Sequence, residues 1–205
     1  MAAGRGPGRP PASNSERTKA RILETAREVF SELGYQATTY REIAERCDLS
    51  RPAINHYFPT KRDLYSAVVA SVHTRLIAAG LAQAQEKPSF EARIRAFIDA
   101  QARDPEAAAF LVISVLEAKR NPELADAGDG ALDASRMFIG WVLGEAAAAG
   151  RLNGDPEDPH LVEMLVALLC GLSFYAGFGD DGEQLAAITD RFLALLCGVG
   201  ILKTP

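Results

Sequence analysis

The chain has 205 residues, of which 48% are hydrophobic and 24% charged, a globular composition that excludes a disordered or collagen-like polymer. That length leaves room for one large domain or two small ones around a real core. A net charge of −5 argues against a nucleic-acid partner only if it is spread evenly, and it is not. Residues 1–65 hold 11 Lys/Arg against 8 Asp/Glu, whereas residues 66–205 hold 11 against 19. A basic front end on an acidic body is the asymmetry of a DNA-binding head.

Residues 1–14 are rich in Gly and Pro and read as a flexible basic arm with no apolar run, so no secretory signal is expected. From 15 to 33 the apolar residues Ile22, Leu23, Ala26, Val29, Phe30 and Leu33 have helical spacing. Gly34 follows where a helix stops in a left-handed turn. Thr39-Tyr40-Arg41-Glu42 has the form of a capping box, in which the Thr39 hydroxyl and Glu42 carboxylate each accept from the other's amide. It opens a short helix with Ile43, Ala44 and Cys47 inward, ending near Asp48, a residue that tolerates left-handed backbone. Ser50 caps the next short helix, with Pro52 in its first turn and Ile54 and Phe58 inward. Pro59 stops it, and Thr60-Lys61-Arg62-Asp63 starts a long helix carrying Leu64, Val68, Val72 and Leu76 on one face.

Two short helices joined by a turn of about three residues, braced by a longer one before them, make a helix-turn-helix. Residues 16–68 resemble the DNA-binding region of the tetracycline-repressor (TetR) family. The likeness is carried by Arg21-Ile22-Leu23, Ala26, Val29-Phe30, Gly34-Tyr35, Thr38-Thr39, Ile43-Ala44, Leu49-Ser50, Ile54-Asn55-His56-Tyr57-Phe58, Lys61 and Leu64. Asp48 and Pro52 depart from it, since glycine is commoner at both. The resemblance implies that Arg41 contacts bases and that Arg51, Pro52, Ala53, Asn55 and His56 face the groove from the recognition helix. Arg51 and Asn55 have the hydrogen-bonding groups to read base edges, and Pro52 and Ala53 suit a thymine methyl. It also implies phosphate contacts by Thr39, Tyr57 and Lys61, the last through an amide at a helix start. Tyr57 is equally suited to half-buried packing. Arg5 and Arg9 either enter a minor groove or belong to a tail without defined contacts. His56 has no second ligand at metal spacing, so no metal site is expected.

The rest reads as helical, giving an all-α chain with an arm at 1–14, a helix-turn-helix domain at 15–65 and a regulatory and dimerisation domain at 66–205. Helices are expected to about 85, then over 90–103, 105–120, 131–149, 159–177 and 184–198. The uncharged run 164–179 is shorter than the ~20 residues of a bilayer span and reads as a buried helix. A soluble, cytoplasmic protein without a membrane partner is therefore expected. Helices 160–175 and 185–196 are too apolar for a monomer surface, and the resemblance implies that they pair across a homodimer. It further implies a pocket for a small-molecule effector between the middle helices. Candidates there are Phe97, Phe110, Ile113, Glu117, Met137, Trp141 and Phe174, although aromatics at such spacing serve a core equally well. Cys47, Cys170 and Cys197 are odd in number and far apart, which suits inert thiols in a reducing compartment. No catalytic motif, cofactor loop or paired histidine suggests an enzyme or a cofactor. The expected function is a repressor that binds a palindromic operator as a homodimer and is released by an effector. The alternative is a helical dimer that organises DNA or binds protein constitutively.

Overall fold

A computed structural model describes residues 11–179 and 182–203, and its packing divides between Val68 and Val69 into two compact units. The expected arm lies mostly outside the described residues, Arg5 and Arg9 included, but its last four residues do not belong to an arm. Helix α1 (Pro11–Ala37) begins at Pro11. Gly34 breaks α1 with φ 75° and ψ 168°, a backbone that favours glycine, though extended in ψ rather than left-handed. The chain then continues into α2 (Tyr40–Cys47), α3 (Arg51–Tyr57) and α4 (Lys61–Gln85).

Local chemistry sets these boundaries. The Thr39 hydroxyl accepts from the Glu42 amide, but Glu42 does not complete the reciprocal box: its carboxylate accepts instead from Arg46 Nε at 3.0 Å. Arg46 also pairs with Glu32 on α1 at 2.8 Å, and that hydrogen bond holds the Glu32 carboxyl below its ordinary range. The full reciprocal box occurs at α4, where Thr60 and Asp63 each accept from the other's amide at 3.1 Å. Asp48 adopts φ 51° and ψ 49°, the left-handed turn between α2 and α3. Ser50 caps α3 by accepting from the Ala53 amide. Ile22, Ala26, Val29, Phe30, Ile43, Ala44, Ile54, Phe58 and Leu64 are buried beneath these helices.

The second unit holds α5 (Phe90–Ala102), α6 (Pro105–Arg120), a single 3-10 turn at Pro122–Leu124, α7 (Ala125–Ala148), α8 (Pro159–Phe178) and α9 (Gly182–Gly198). Asp104 caps α6 and Asp158 caps α8, each followed by proline in the first turn. Helix α7 starts six residues before the expected 131, because Asn121-Pro122 is a bend rather than the head of a long loop. Ile94, Phe97, Phe138, Val142, Leu165, Leu169 and Leu193 belong to one hydrophobic core. The tail closes back on the α7–α8 connection through an antiparallel bridge of Leu152 with Leu202, a pairing with no alternating sequence signal.

By length and composition α4 and α8 are each long and apolar enough to cross a membrane, so α8 is not too short as its uncharged run suggested. Its role follows from packing instead. Leu165, Val166, Leu169, Leu172 and Ala176 are buried in the unit, while Met164, Leu168, Phe174 and Phe178 are exposed. Leu195 and Val199 add exposed apolar surface at the end of α9. These helices are therefore half-buried here, not enclosed on all sides.

Helices α6 and α8 approach closely at Gly177, where a β-carbon would stand 2.5 Å from the Ala109 amide nitrogen. Gly177→Ala should therefore cost roughly 1–3 kcal/mol, because backbone rather than a flexible side chain must move. Gly144→Ala, with nothing within 4 Å, should be neutral or gain up to about 1 kcal/mol in helix propensity. Urea denaturation followed by circular dichroism compares the two; equal midpoints would mean that the α6–α8 approach is not tight.

Candidate nucleic-acid interface and interior cavity

On the first unit, the start of α2 and the outer face of α3 enclose a concave surface of about 470 Å³ lined by Thr39, Tyr40, Arg41, Arg51, Asn55, Pro59 and Lys61. Five residues expected to contact DNA thus converge on one groove. Arg41 is among the most exposed, its guanidinium 3.8 Å from Glu45 one turn on. Arg51 and Asn55 share a face of α3 because they are four residues apart. Pro52 and His56 occupy the adjacent exposed stripe, and Ala53 and Tyr57 are half-buried. The Tyr57 hydroxyl lies 3.5 Å from Ser15 at the start of α1, so this ring touches both helices.

Lys61 does something the sequence did not suggest. Its ammonium donates to the carbonyl oxygens of Tyr35, Gln36 and Thr38 at 2.8, 3.0 and 3.1 Å, and stands 4.6 Å from the centre of the Tyr35 ring. The side chain therefore closes the end of α1; only the backbone amide stays at the helix start where a phosphate contact was expected. Thr38 completes the closure, its buried hydroxyl donating to the Gly34 carbonyl at 2.7 Å. Tyr40 and Pro59 were not anticipated in the groove. The Tyr40 hydroxyl donates to the Phe58 carbonyl at 2.8 Å, fixing the end of α3. Burial, with the nearby Asp63 charge second, pushes its phenol up to about 12, so it remains a donor.

The second unit contains a largely apolar cavity of about 240 Å³. Helix α4 supplies His73, Leu76 and Ile77, α5 supplies Phe97 and Gln101, and α6 supplies aliphatic residues from Leu111 to Leu116. Ser135 of α7 and Cys170 and Ser173 of α8 complete the polar part of its wall. Burial pushes the Cys170 thiol up, which keeps it protonated and suits the expected inert role.

Among the expected pocket residues only Phe97 lines this cavity. Phe110 is fully buried elsewhere in the packing, and Ile113 is half-buried off the wall. The Glu117 carboxylate accepts from the Asn121 side-chain amide at 2.8 Å, beside the end of its own helix. Met137 is 76% and Phe174 50% exposed, Phe174 stacking on Phe178. Trp141 stands one ring away: Phe97 stacks on Phe138 at 4.1 Å, and Phe138 lies 6.0 Å from Trp141, which Arg93 covers. Their placement has a simple cause. A large side chain fills the space in front of it, and a void remains where the side chains of several helices fall short of one another.

Residues 22–68 match the model of bacterial regulatory proteins of the tetR family. The HTH-type transcriptional regulator RutR of Escherichia coli is 31% identical over 183 residues, 84% of this chain and 80% of that protein. The chain belongs to the TetR family. The regulator YezE of Bacillus subtilis is 28% identical over 195 residues, covering 89% of this chain and 98% of its own. A transcriptional regulator from Saccharomonospora viridis, crystallised in complex with choline, superposes with a TM-score of 0.74 at 20% identity, covering 92% of this chain and all of its own. A TetR-family regulator from Pectobacterium atrosepticum superposes at 0.68 with 26% identity, over 96% of this chain and 100% of that one. This TetR-family chain is a DNA-binding transcriptional regulator with an all-α fold, not an enzyme.

Removing the Lys61 ammonium leaves three carbonyl groups to find other donors. Lys61→Met should destabilise the first unit by about 1–3 kcal/mol. Arg41→Ala, which removes an exposed guanidinium, should change stability by less than about 0.5 kcal/mol. Chemical denaturation of the two variants checks this; a Lys61→Met protein as stable as the parent would show that the ammonium does not close α1.

Proposed function

We propose that this regulator is a cytoplasmic repressor that binds a two-fold DNA operator as a homodimer and is released when a small molecule fills the cavity. The convergence of Thr39, Arg41, Arg51, Asn55 and Lys61 on one groove carries the DNA reading. In this reading Arg41, Arg51 and Asn55 read base edges, with Pro52, Ala53 and His56 beside them on the recognition helix. Thr39, Tyr57 and the Lys61 amide hold phosphates. The exposed apolar stripe of α8 and the end of α9 support a two-fold contact between copies, with Ala167 and Gly171 small enough for close approach.

The cavity favours an effector over constitutive DNA organisation, since a largely apolar concavity of this size is the usual form of a small-molecule site. One continuous helix, α4, carries Lys61 in its first turn and His73, Leu76 and Ile77 on the cavity wall. A ligand lowers DNA affinity only by binding the DNA-poor conformation more tightly, and a ligand touching α4 has a route to that difference. The Saccharomonospora viridis regulator holds choline. Here no carboxylate is among the residues lining the cavity and Phe97 is its single Phe, Tyr or Trp, which gives a quaternary ammonium little to bind.

Selection from a random duplex pool should yield an inverted repeat, bound as a dimer with affinity falling steeply as salt rises. Binding indifferent to symmetry and salt would overturn the reading. Arg41→Ala and Asn55→Ala should each relax preference at particular base pairs, by about 1–3 kcal/mol per contact. Phe174→Glu combined with Leu195→Glu should give monomers in sedimentation and lose tight operator binding; a variant that stays dimeric places the contact elsewhere.

A further inference from the structure

The cavity wall has an unusual electrostatic character for a site in an acidic unit. No Asp, Glu, Lys or Arg lines it, and Cys170 is held protonated by burial. A cationic ligand would leave water with no carboxylate to compensate it, and an anionic one would find only the His73 imidazole and no ammonium or guanidinium, whereas an uncharged ligand needs neither. One polar side chain on the wall stands out. Gln101 is 5% exposed and its side chain lines the cavity. A carboxamide on the wall offers two donors and an acceptor that a ligand entering the cavity can engage. The volume of about 240 Å³ suits on the order of ten to fifteen non-hydrogen atoms at interior packing density.

We propose that the cavity receives an uncharged, mainly apolar molecule whose single amide- or alcohol-type group hydrogen-bonds to the Gln101 carboxamide. The Gln101 amide supplies both a donor and an acceptor, so it matches a neutral polar group and not a bare hydrocarbon. The aliphatic wall from α6 and the Phe97 ring receive the apolar remainder. Phe97 cannot retreat to admit a larger ligand. It is stacked on Phe138, and Gly80 lies so close that an added β-carbon would stand 2.5 Å from the ring. The inference rests on the cavity being the effector site, but it concerns only what the cavity binds.

The test uses four matched probes with the full-length protein: phenylbutyramide, phenylbutylammonium, phenylbutyrate and butylbenzene. Affinities come from calorimetry, and occupancy from protection of Cys170 against prolonged iodoacetamide treatment at mildly alkaline pH, where even a thiol pushed up by burial ionises in part, with Cys197 as the internal control. Phenylbutyramide is expected to bind tightest and to protect Cys170 but not Cys197, with both charged probes at least about thirtyfold weaker. Gln101→Leu should cut the preference for the amide over butylbenzene by about tenfold and leave butylbenzene affinity unchanged. Gln101→Met repeats the comparison if the leucine variant folds poorly. Tighter binding of either ion, binding of the amide without protection of Cys170, an unaltered amide preference in both variants, or no binding by any probe would overturn the proposal. Operator affinity is measured separately. If the amide binds as described and DNA affinity does not change, the ligand class stands and the effector reading fails.

Discussion

An ammonium group with three carbonyl oxygens around it and an aromatic ring beside it determines how the first unit closes. After Gly34 the backbone leaves helical geometry, and the carbonyls of Tyr35, Gln36 and Thr38 gather around one point beside the start of α4. Lys61 donates to them from the start of α4, while Tyr35 and Tyr65 meet edge to face at 5.1 Å beneath it. The connection between α1 and α2 is thereby tied to the beginning of α4. Helices α2 and α3, of eight and seven residues, are too short to persist alone and take their orientation from what they pack upon. The groove that presents Arg41, Arg51 and Asn55 depends on that closure, although Lys61 itself spends its charge on the protein.

The second unit solves a different problem. Its rings, Phe97, Phe138 and Trp141, pack against one another in the core, and of the three Phe97 alone reaches the cavity wall. Short and aliphatic side chains of α6, α7 and α8 leave the void, and Gln101 gives it a polar point. Close packing at Gly177 and the stacked Phe97 make the surrounding wall stiff, so an occupant of the cavity acts on a shape that does not yield freely. The exposed face of α8 reflects the same economy. A helix with apolar residues on both sides stays soluble when its second side meets another surface, and the outward Phe174 and Phe178 mark that side.

The sequence by itself determined the helices, most of their ends and the family. Thr39, Ser50, Thr60 and Asp104 act through amides three residues away, and Asp48 and Gly34 act on their own backbone, so their effects are legible in a linear string. The same holds for the exposed stripe of α3, because residues four apart share a face whatever the helix packs against. Only the tertiary structure decided the role of Lys61, whose partners lie 23 to 26 residues away, and the place of the cavity. Periodicity shows that Phe110 and Trp141 face inward, yet not which neighbours they meet. A void is the property of several helices at once, fixed by where their side chains fall short, and no single helix records it.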